Sequence, residues 1–305
     1  MTKSPLLQRA PPSQGPVLVL GASGRLGRMI RLLRPSDTLR WHFQSRRPAP
    51  WADLIWDGTR KDTALADYIA QHRPRAVLNL IGLTSAPDAT AFNAVNVDIP
   101  AHLLELARAF NVPHVALVSS AAVYGTQPDR ADTPETATLR PINAYGRSKA
   151  RMEAMARTHA GPSRVSILRI GNVAGADRLL SLAERGKLAL DFLADNTTPL
   201  RSYIGPRDLA ETLGVLMTHP TPQGISVLNI AHPQPVTLGD LLAAYRAKIN
   251  AGLVWARRRA PETTLAKVVL NTAALEALNP SRHYPVPAEA LANQVTDLRR
   301  EIACQ

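Results

Sequence analysis

Tyr145 and Lys149 stand four residues apart, so on a helix they share one face. An ammonium beside a phenol favours the phenolate and lowers a pKa that is about 10 when unperturbed. The pair therefore predicts a general acid/base near neutral pH, with Tyr145 exchanging the proton. Ser120 lies upstream, just past the apolar run His114-Val115-Ala116-Leu117-Val118, where its hydroxyl can hold the carbonyl or alcohol oxygen of a substrate. A lone Tyr-x-x-x-Lys is most often a solvated helix face. Its weight here comes from a second element further upstream.

That element is Gly21-Ala22-Ser23-Gly24-Arg25-Leu26-Gly27. The run Val17-Leu18-Val19-Leu20 before it reads as a short buried strand, and Leu26, Met29, Ile30 and Leu33 after it recur at helical spacing until Pro35. A strand that feeds a helix through glycines brings backbone N–H groups and a helix N-terminus up to a pyrophosphate. Gly21, Ser23, Gly24, Arg25, Leu26 and Gly27 are the predicted cradle, although their spacing differs from the G-x-G-x-x-G fingerprint. Hydride transfer with a nicotinamide dinucleotide is the chemistry that joins the two elements.

The end of the second strand selects the dinucleotide. An acidic residue there suits the ribose of NAD, whereas an Arg accommodates the 2′-phosphate of NADP. The candidate strand Leu39-Arg40-Trp41-His42-Phe43 runs into Gln44-Ser45-Arg46-Arg47, with no carboxylate at its end. Arg46 matches a phosphate bidentately, so NADP is expected in preference to NAD. A third strand ending at Leu54-Ile55-Trp56-Asp57 places Asp57 near the adenine amino group. A fourth, from Arg75, breaks at Gly82, where the chain passes the middle of the cofactor. Strands alternating with helical stretches such as Pro100 to Phe110 predict an α/β fold, a Rossmann-type doubly wound parallel sheet.

In this order the motifs resemble those of the extended short-chain dehydrogenase/reductases, in the group of NAD-dependent epimerases and dehydratases that act on nucleotide sugars; the pattern is that of the UDP-glucose 4-epimerases. The resemblance rests on the glycine segment, on Ser-Ser-Ala-Ala-Val-Tyr-Gly at 119–125 and on Tyr-Gly-Arg-Ser-Lys at 145–149. It continues through Leu-Arg-Ile-Gly-Asn-Val-Ala-Gly at 168–175, Arg-Ser-Tyr-Ile-Gly-Pro-Arg-Asp-Leu-Ala at 201–210 and Leu-Asn-Ile at 228–230. It implies Ser120, Tyr145 and Lys149 as the catalytic set, with Lys149 also on the nicotinamide ribose. It implies Asn172, Arg201 and Arg259 (or its neighbour Arg258) as substrate-binding residues, Asn96 as a shaper of the site, and a homodimer formed through a helical face. It further implies a cofactor domain over 16–170 and a substrate lobe over 171–305, with segments of about 202–232 returning to the sheet.

Two departures keep the reaction open. The Gln44-Ser45-Arg46-Arg47 end favours an NADPH-dependent ketoreductase as rival to a redox-neutral epimerase. Ala121 and Ala122 stand where the sugar dehydratases of the group place an Asp-Glu pair, which argues against dehydration. A non-catalytic NAD(P) sensor or assembly protein is a third reading, opposed by the presence of all three of Ser120, Tyr145 and Lys149.

With 305 residues and 45% apolar content, the chain can bury one large core and a smaller lobe. Residues 1–15, with Pro5, Pro11 and Pro12, read as a mobile tail without the apolar stretch of a signal peptide. No long apolar run suits a bilayer, and Cys304 as the sole cysteine fits a reducing, cytoplasmic setting. The net charge of +12 permits polyanion binding, but the cations are scattered and aromatics make up only 5%, so nucleic acid is not an expected partner. An anionic cofactor and a nucleotide-sugar substrate account for part of that charge. The eight histidines have no metal-ligand spacing, so no metal is expected.

Overall fold

Val17, Leu18, Val19 and Leu20 are fully buried because β1 (Val17–Leu20) lies inside a parallel sheet covered on both faces. Val17 and Val19 face one core and Leu18 and Leu20 the other, as the two-residue period of a strand requires. Burying each such side chain contributes about 1.5–3 kcal/mol. The structure, a computed structural model, describes residues 15–34, 39–60, 62–127, 132–159, 161–186, 188–218, 223–279, 284–285 and 287–304. All of the expected N-terminal tail except Gly15 lies outside the described residues.

The first half alternates as the sequence predicts: α1 (Arg25–Leu33), β2 (Trp41–Ser45), β3 (Leu54–Ile55), α2 (Ala64–His72) and β4 (Ala76–Asn79). Next, α3 (Ala89–Asn93), a π-helical turn (Ala94–Asp98) and α4 (Ile99–Ala109) follow one another without a break. Then come β5 (His114–Ser120), α5 (Ala144–His159) and β6 (Arg164–Ile170). The second half holds β7 (Asn172–Val173), α6 (Arg178–Glu184), β8 (Ala189–Phe192), β9 (Leu200–Arg201), β10 (Tyr203–Ile204), α7 (Pro206–Thr218) and β11 (Ile225–Ile230). It closes with β12 (Val236–Thr237), α8 (Leu238–Lys248), β13 (Ala256–Arg259), β14 (Lys267–Val268), α9 (Ala273–Leu278) and α10 (Pro287–Ala303).

The main sheet has seven strands in the order β11-β6-β5-β4-β1-β2-β3, all parallel. Strand order reverses between β1 and β4, which opens a crevice at their carboxyl ends, the usual ligand position of a doubly wound sheet. The second half gives β11 back to the sheet, where Val227 pairs with Ile167. Its remainder packs around Leu180, Leu190, Tyr203, Leu241, Tyr245 and Leu291, a core separate from those of the sheet.

Several boundaries differ from the sequence reading: β4 ends at Asn79, short of Gly82, and β3 ends at Ile55, short of Asp57. β2 starts at Trp41 and continues through Gln44 and Ser45, which are buried where a loop was expected. The cause lies in contacts distant in sequence: β3 pairs with both residues, and the Gln44 amide bridges the Gly21 N–H and the Trp56 carbonyl. β5 likewise continues through Ser119 and Ser120, which pair with Arg169 and Ile170.

Candidate active site

Gly21 adopts φ +82°, a left-handed conformation that favours glycine, and so turns the chain sharply out of β1. A Cβ on Gly27 would lie 2.2 Å from the Gly21 carbonyl oxygen, so α1 can pack against this turn only with glycine there. The Gly21 N–H donates to Gln44 Oε1 at 2.7 Å, which fixes the turn to β2. At its N-terminus α1 has no side-chain cap and no acidic residue in its first turn. The first amides of that helix therefore face the crevice uncompensated, as an anionic pyrophosphate requires.

The crevice is a cleft of about 1020 Å³. It is walled by Gly24, Arg25, Leu26 and Gly27 beyond β1, by Leu80 and Gly82 beyond β4, and by Tyr145 and Lys149 of α5. Asn172 and α6, through Arg178, Ser181 and Arg185, close the far side. Three of the separately predicted elements thus meet in one space: the glycine turn, Gly82, and the Tyr145–Lys149 pair. Ser120 joins them through a hydrogen bond with the Tyr145 phenol, and its Oγ accepts from the Ala122 N–H at 3.2 Å.

Lys149 is buried, and its Nζ donates to the Val118 carbonyl at 2.8 Å. Burial pulls its pKa down to about 8, and only the charge of Glu153 opposes this. The Tyr145 phenol departs from expectation. Burial pushes its pKa up, opposed by the hydrogen bond from Ser120, where a lowering by Lys149 was predicted. The Lys149 ammonium is turned to the Val118 carbonyl, so its field does not outweigh the desolvation of the phenol. Buried in this way, Tyr145 is a protonated acid.

Asn96 sits fully buried in the π-helical turn, a feature that recurs at functional sites. Its Oδ1 accepts from the Leu83 N–H at 2.8 Å, and its Nδ2 donates to the Leu83 carbonyl at 3.0 Å and to Ser148 Oγ at 2.8 Å. The loop after β4 is thereby fastened to the helix of Tyr145 and Lys149. A Cβ on Gly82 would come within 3.2 Å of Lys149 Nζ, so that glycine lets the lysine reach the cleft wall.

Comparison with known proteins agrees with this arrangement. The profile of the NAD dependent epimerase/dehydratase family matches residues 17–231. The chain belongs to that family. A UDP-glucose 4-epimerase of Azospirillum brasilense is 30% identical over 248 residues, covering 70% of this chain and 71% of its own. Among solved structures, UDP-glucose-4-epimerase from Stenotrophomonas maltophila with bound NAD and formylated UDP-arabinopyranose superposes with a TM-score of 0.80 at 18% identity, covering 95% of this chain and 100% of that one. MoeE5 in complex with UDP-glucuronic acid and NAD gives 0.77 at 22% identity, covering 94% and 99%. At such identities the structural likeness establishes the fold.

The other expected site residues are spread more widely. Ser23 is exposed on the glycine turn, and Arg46 is exposed just past β2. Asp57 lies beside Arg46: the Thr59 hydroxyl and N–H hold its carboxyl below the usual range, and the charges of Arg46 and Arg60 add to this. Arg201 does not line the cleft; its guanidinium donates to the carbonyls of Leu200 at 2.8 Å and Leu265 at 2.7 Å. Arg259 belongs to a separate hollow of about 370 Å³ that it shares with Arg257, Arg258 and Phe192. Arg258 there pairs with Asp191 at 2.6 Å, and Arg257 lies 3.7 Å from the Phe192 ring centroid.

Sequence reasoning missed Gln44, Arg178, Arg185 and the buried Ser119–Glu153–Arg169 cluster. The helical signal for Glu153 was present, since it continues the four-residue step of Tyr145 and Lys149. Nothing local distinguished Arg178 and Arg185 from the chain's many surface arginines.

Proposed function

We propose that this protein carries out NAD(P)-dependent hydride transfer at an alcohol carbon of a nucleotide sugar, as an epimerase-type enzyme. The observation that carries the reading is the convergence of Tyr145, Lys149 and the uncapped N-terminus of α1 on one cleft, with Ser120 hydrogen-bonded to Tyr145. Gly21, Ser23, Gly24, Arg25, Leu26 and Gly27 are the proposed pyrophosphate cradle, with Gly82 and Lys149 beside the nicotinamide half and Arg46 and Asp57 at the adenosine end. The bound dinucleotide supplies the acceptor and donor of hydride. Ser120 Oγ and Tyr145 Oη hold the substrate oxygen between them, and Tyr145 Oη gives or takes its proton. Lys149, as an ammonium, stabilises whatever negative charge develops on that phenol oxygen.

The substrate diphosphate needs cations. Arg178 and Arg185 line the cleft, and among the described residues neither side chain has a hydrogen bond or ion pair. They are the proposed first grip on the diphosphate, together with Asn172. Arg201 and Arg259 remain candidates for the nucleotide end, Arg259 through the arginine-lined hollow at Phe192. The A. brasilense relative, a UDP-glucose 4-epimerase, supports a UDP-sugar as the first substrate to try.

A second reading has its own support. With Ser45, Arg46 and Arg47 at the end of β2 and no carboxylate there, the adenosine end suits NADP, and an NADPH-dependent reductase follows. The solved relatives named above hold NAD. Two assays decide: incubate the protein with UDP-glucose or UDP-galactose and either dinucleotide, following the sugar by chromatography, and separately with NADPH and a panel of non-nucleotide ketones, following reduced nicotinamide by absorbance. Epimer formed without net change in dinucleotide supports the epimerase; steady NADPH consumption with a ketone supports the reductase. No turnover of any nucleotide sugar with either dinucleotide refutes the first reading.

A further inference from the structure

We propose that Glu153 and Arg169 are a buried pair of positioning residues that clamp the helix of Tyr145 and Lys149 onto the strand of Ser120, and that Glu153 holds the Lys149 charge at the cleft wall. The proposal rests on the reading of Tyr145, Lys149 and Ser120 as the catalytic set.

Tyr145, Lys149 and Glu153 follow one another at four-residue steps along one face of α5. Glu153 and Arg169 are 1% and 2% exposed. Arg169, from β6, approaches as a fork: Nε donates to Oε1 at 3.0 Å and Nη2 to Oε2 at 2.7 Å. Ser119, from β5, donates its hydroxyl to the same Oε1 at 2.6 Å. One carboxylate thus joins α5, β5 and β6, and its β5 contact is the residue next to Ser120. Arg169 extends the clamp, since Nη1 donates to Tyr124 Oη and to the Glu135 carbonyl, both at 2.8 Å. Tyr124 in turn donates to Asn229 of β11 at 2.7 Å, which ties down the turn that follows Ser120.

Apolar side chains would fill this interface at lower desolvation cost. They would not place a negative charge beside Lys149. The groups around that ammonium can be named from each element packed against it. From α5 they are Glu153 and Tyr145; from β5, the neutral Val118 carbonyl; from the loop after β4 and the π-helical turn, the Gly82 backbone and the Asn96 amide. From β6, Arg169 faces Glu153, and Glu135 and Tyr124 face Arg169. Among the described residues Glu153 is the one charge that acts on Lys149 against the effect of burial. With Glu153 ionised the ammonium persists to higher pH; without it, Lys149 loses its proton at lower pH.

Two variants test this, Glu153→Gln and the double variant Glu153→Gln/Arg169→Met, which removes the guanidinium that the single one would orphan. The first readout is direct and needs no substrate: NMR titration of lysine carrying ¹³C at Cε, with the Lys149 signal assigned through Lys149→Arg. The second is kcat and KM against pH. The Lys149 midpoint is expected to fall by about one pH unit in both variants. The alkaline limb of kcat should move with it, while KM for the nucleotide sugar stays within about twofold. A purely structural pair would lower the melting temperature and leave midpoint and limb in place. An unmoved midpoint in either folded variant overturns the proposal. If the wild-type protein turns over no nucleotide sugar, the functional reading fails, and the midpoint alone still decides the role of the pair.

Discussion

Replacing Tyr145 by Phe removes one hydroxyl from the cleft and leaves the ring. Two effects can be sized separately. The hydroxyl's hydrogen bond with Ser120 contributes about 0.5–1.5 kcal/mol to stability, and part of this is recovered because burial disfavours the polar group. Ser120 keeps its contact with the Ala122 N–H at 3.2 Å, and Lys149 keeps the Val118 carbonyl at 2.8 Å. Stability should therefore change by less than about 1 kcal/mol. The kinetic effect is larger: loss of a positioned general acid/base lowers kcat about 10²–10⁴-fold, or about 2.7–5.4 kcal/mol of barrier. The amides that would hold the pyrophosphate are those of Gly24–Gly27, beyond β1, which the substitution on α5 leaves unchanged. Dinucleotide affinity should accordingly remain within about twofold. Calorimetric titration of the dinucleotide and a chromatographic assay of the epimer measure the two quantities on the same preparation. Turnover within tenfold of wild type, or a loss of dinucleotide affinity as large as the loss in kcat, would refute the assignment of Tyr145 as proton donor and acceptor.

Arg46→Asp should weaken NADP about 10–100-fold, the loss of one charge-assisted contact, while sparing NAD; equal effects on the two dinucleotides would remove Arg46 from the 2′-phosphate site. His114 is buried, bonds Ser166 Oγ at 2.9 Å, and has its pKa pulled down to about 4 by desolvation and then by Arg164. Its stabilising effect is complete above the unfolded value of about 6.5 and is lost as pH falls through about 4, for a total of about 3 kcal/mol. Urea midpoints of wild type and His114→Asn over that range check the sign, and parallel curves would refute it. Asn229 is fully buried: Nδ2 donates to the Thr133 and Asn271 carbonyls, and Oδ1 accepts from Tyr124. Asn229→Leu strands these partners and should cost about 3 kcal/mol in chemical denaturation, and a loss below about 1 kcal/mol would show that the network is not needed for stability.

Much of this architecture was legible because it follows from local pattern. Val17–Leu20 shows in the sequence as an apolar run ending at glycine, and that run is the strand; the helical spacing of Met29, Ile30 and Leu33 gave α1. β2 was misjudged at its end because Gln44 looks like a loop residue. The pairing with β3, the two bonds of its amide and the Ala22 N–H on its carbonyl keep it in the sheet, and all of these partners are distant in sequence. The same limit applies to the site. Tyr145, Lys149 and Gly24 could be grouped by motif, whereas Arg178 and Arg185 enter the cleft only because α6 folds across it. Arg201, expected to hold an anion, has its guanidinium directed by the backbone carbonyls of Leu200 and Leu265, a placement that no motif announces. A motif specifies a residue and its neighbours, but the direction of a long side chain is set by what packs around it.

The direction of the Tyr145 shift bears on how the pH dependence should be assigned. Burial holds the phenol protonated, so it does not titrate in the ordinary working range. Lys149 does, because desolvation brings its pKa to about 8. A redox-neutral epimerase needs Tyr145 as base on one half-reaction and as acid on the other. The Lys149 ammonium stabilises the phenolate that begins the first and ends the second, and that effect is lost once Lys149 deprotonates. Activity that depends on the charged lysine is therefore present below about pH 8 and declines above it as Lys149 deprotonates. On the proposed mechanism, a decline in that range belongs to the lysine even though the proton proposed to move is the tyrosine's. Lys149→Arg separates the two: a guanidinium keeps its charge well past this range. If the variant still binds dinucleotide, the alkaline decline should disappear while the lower overall rate reflects the altered geometry.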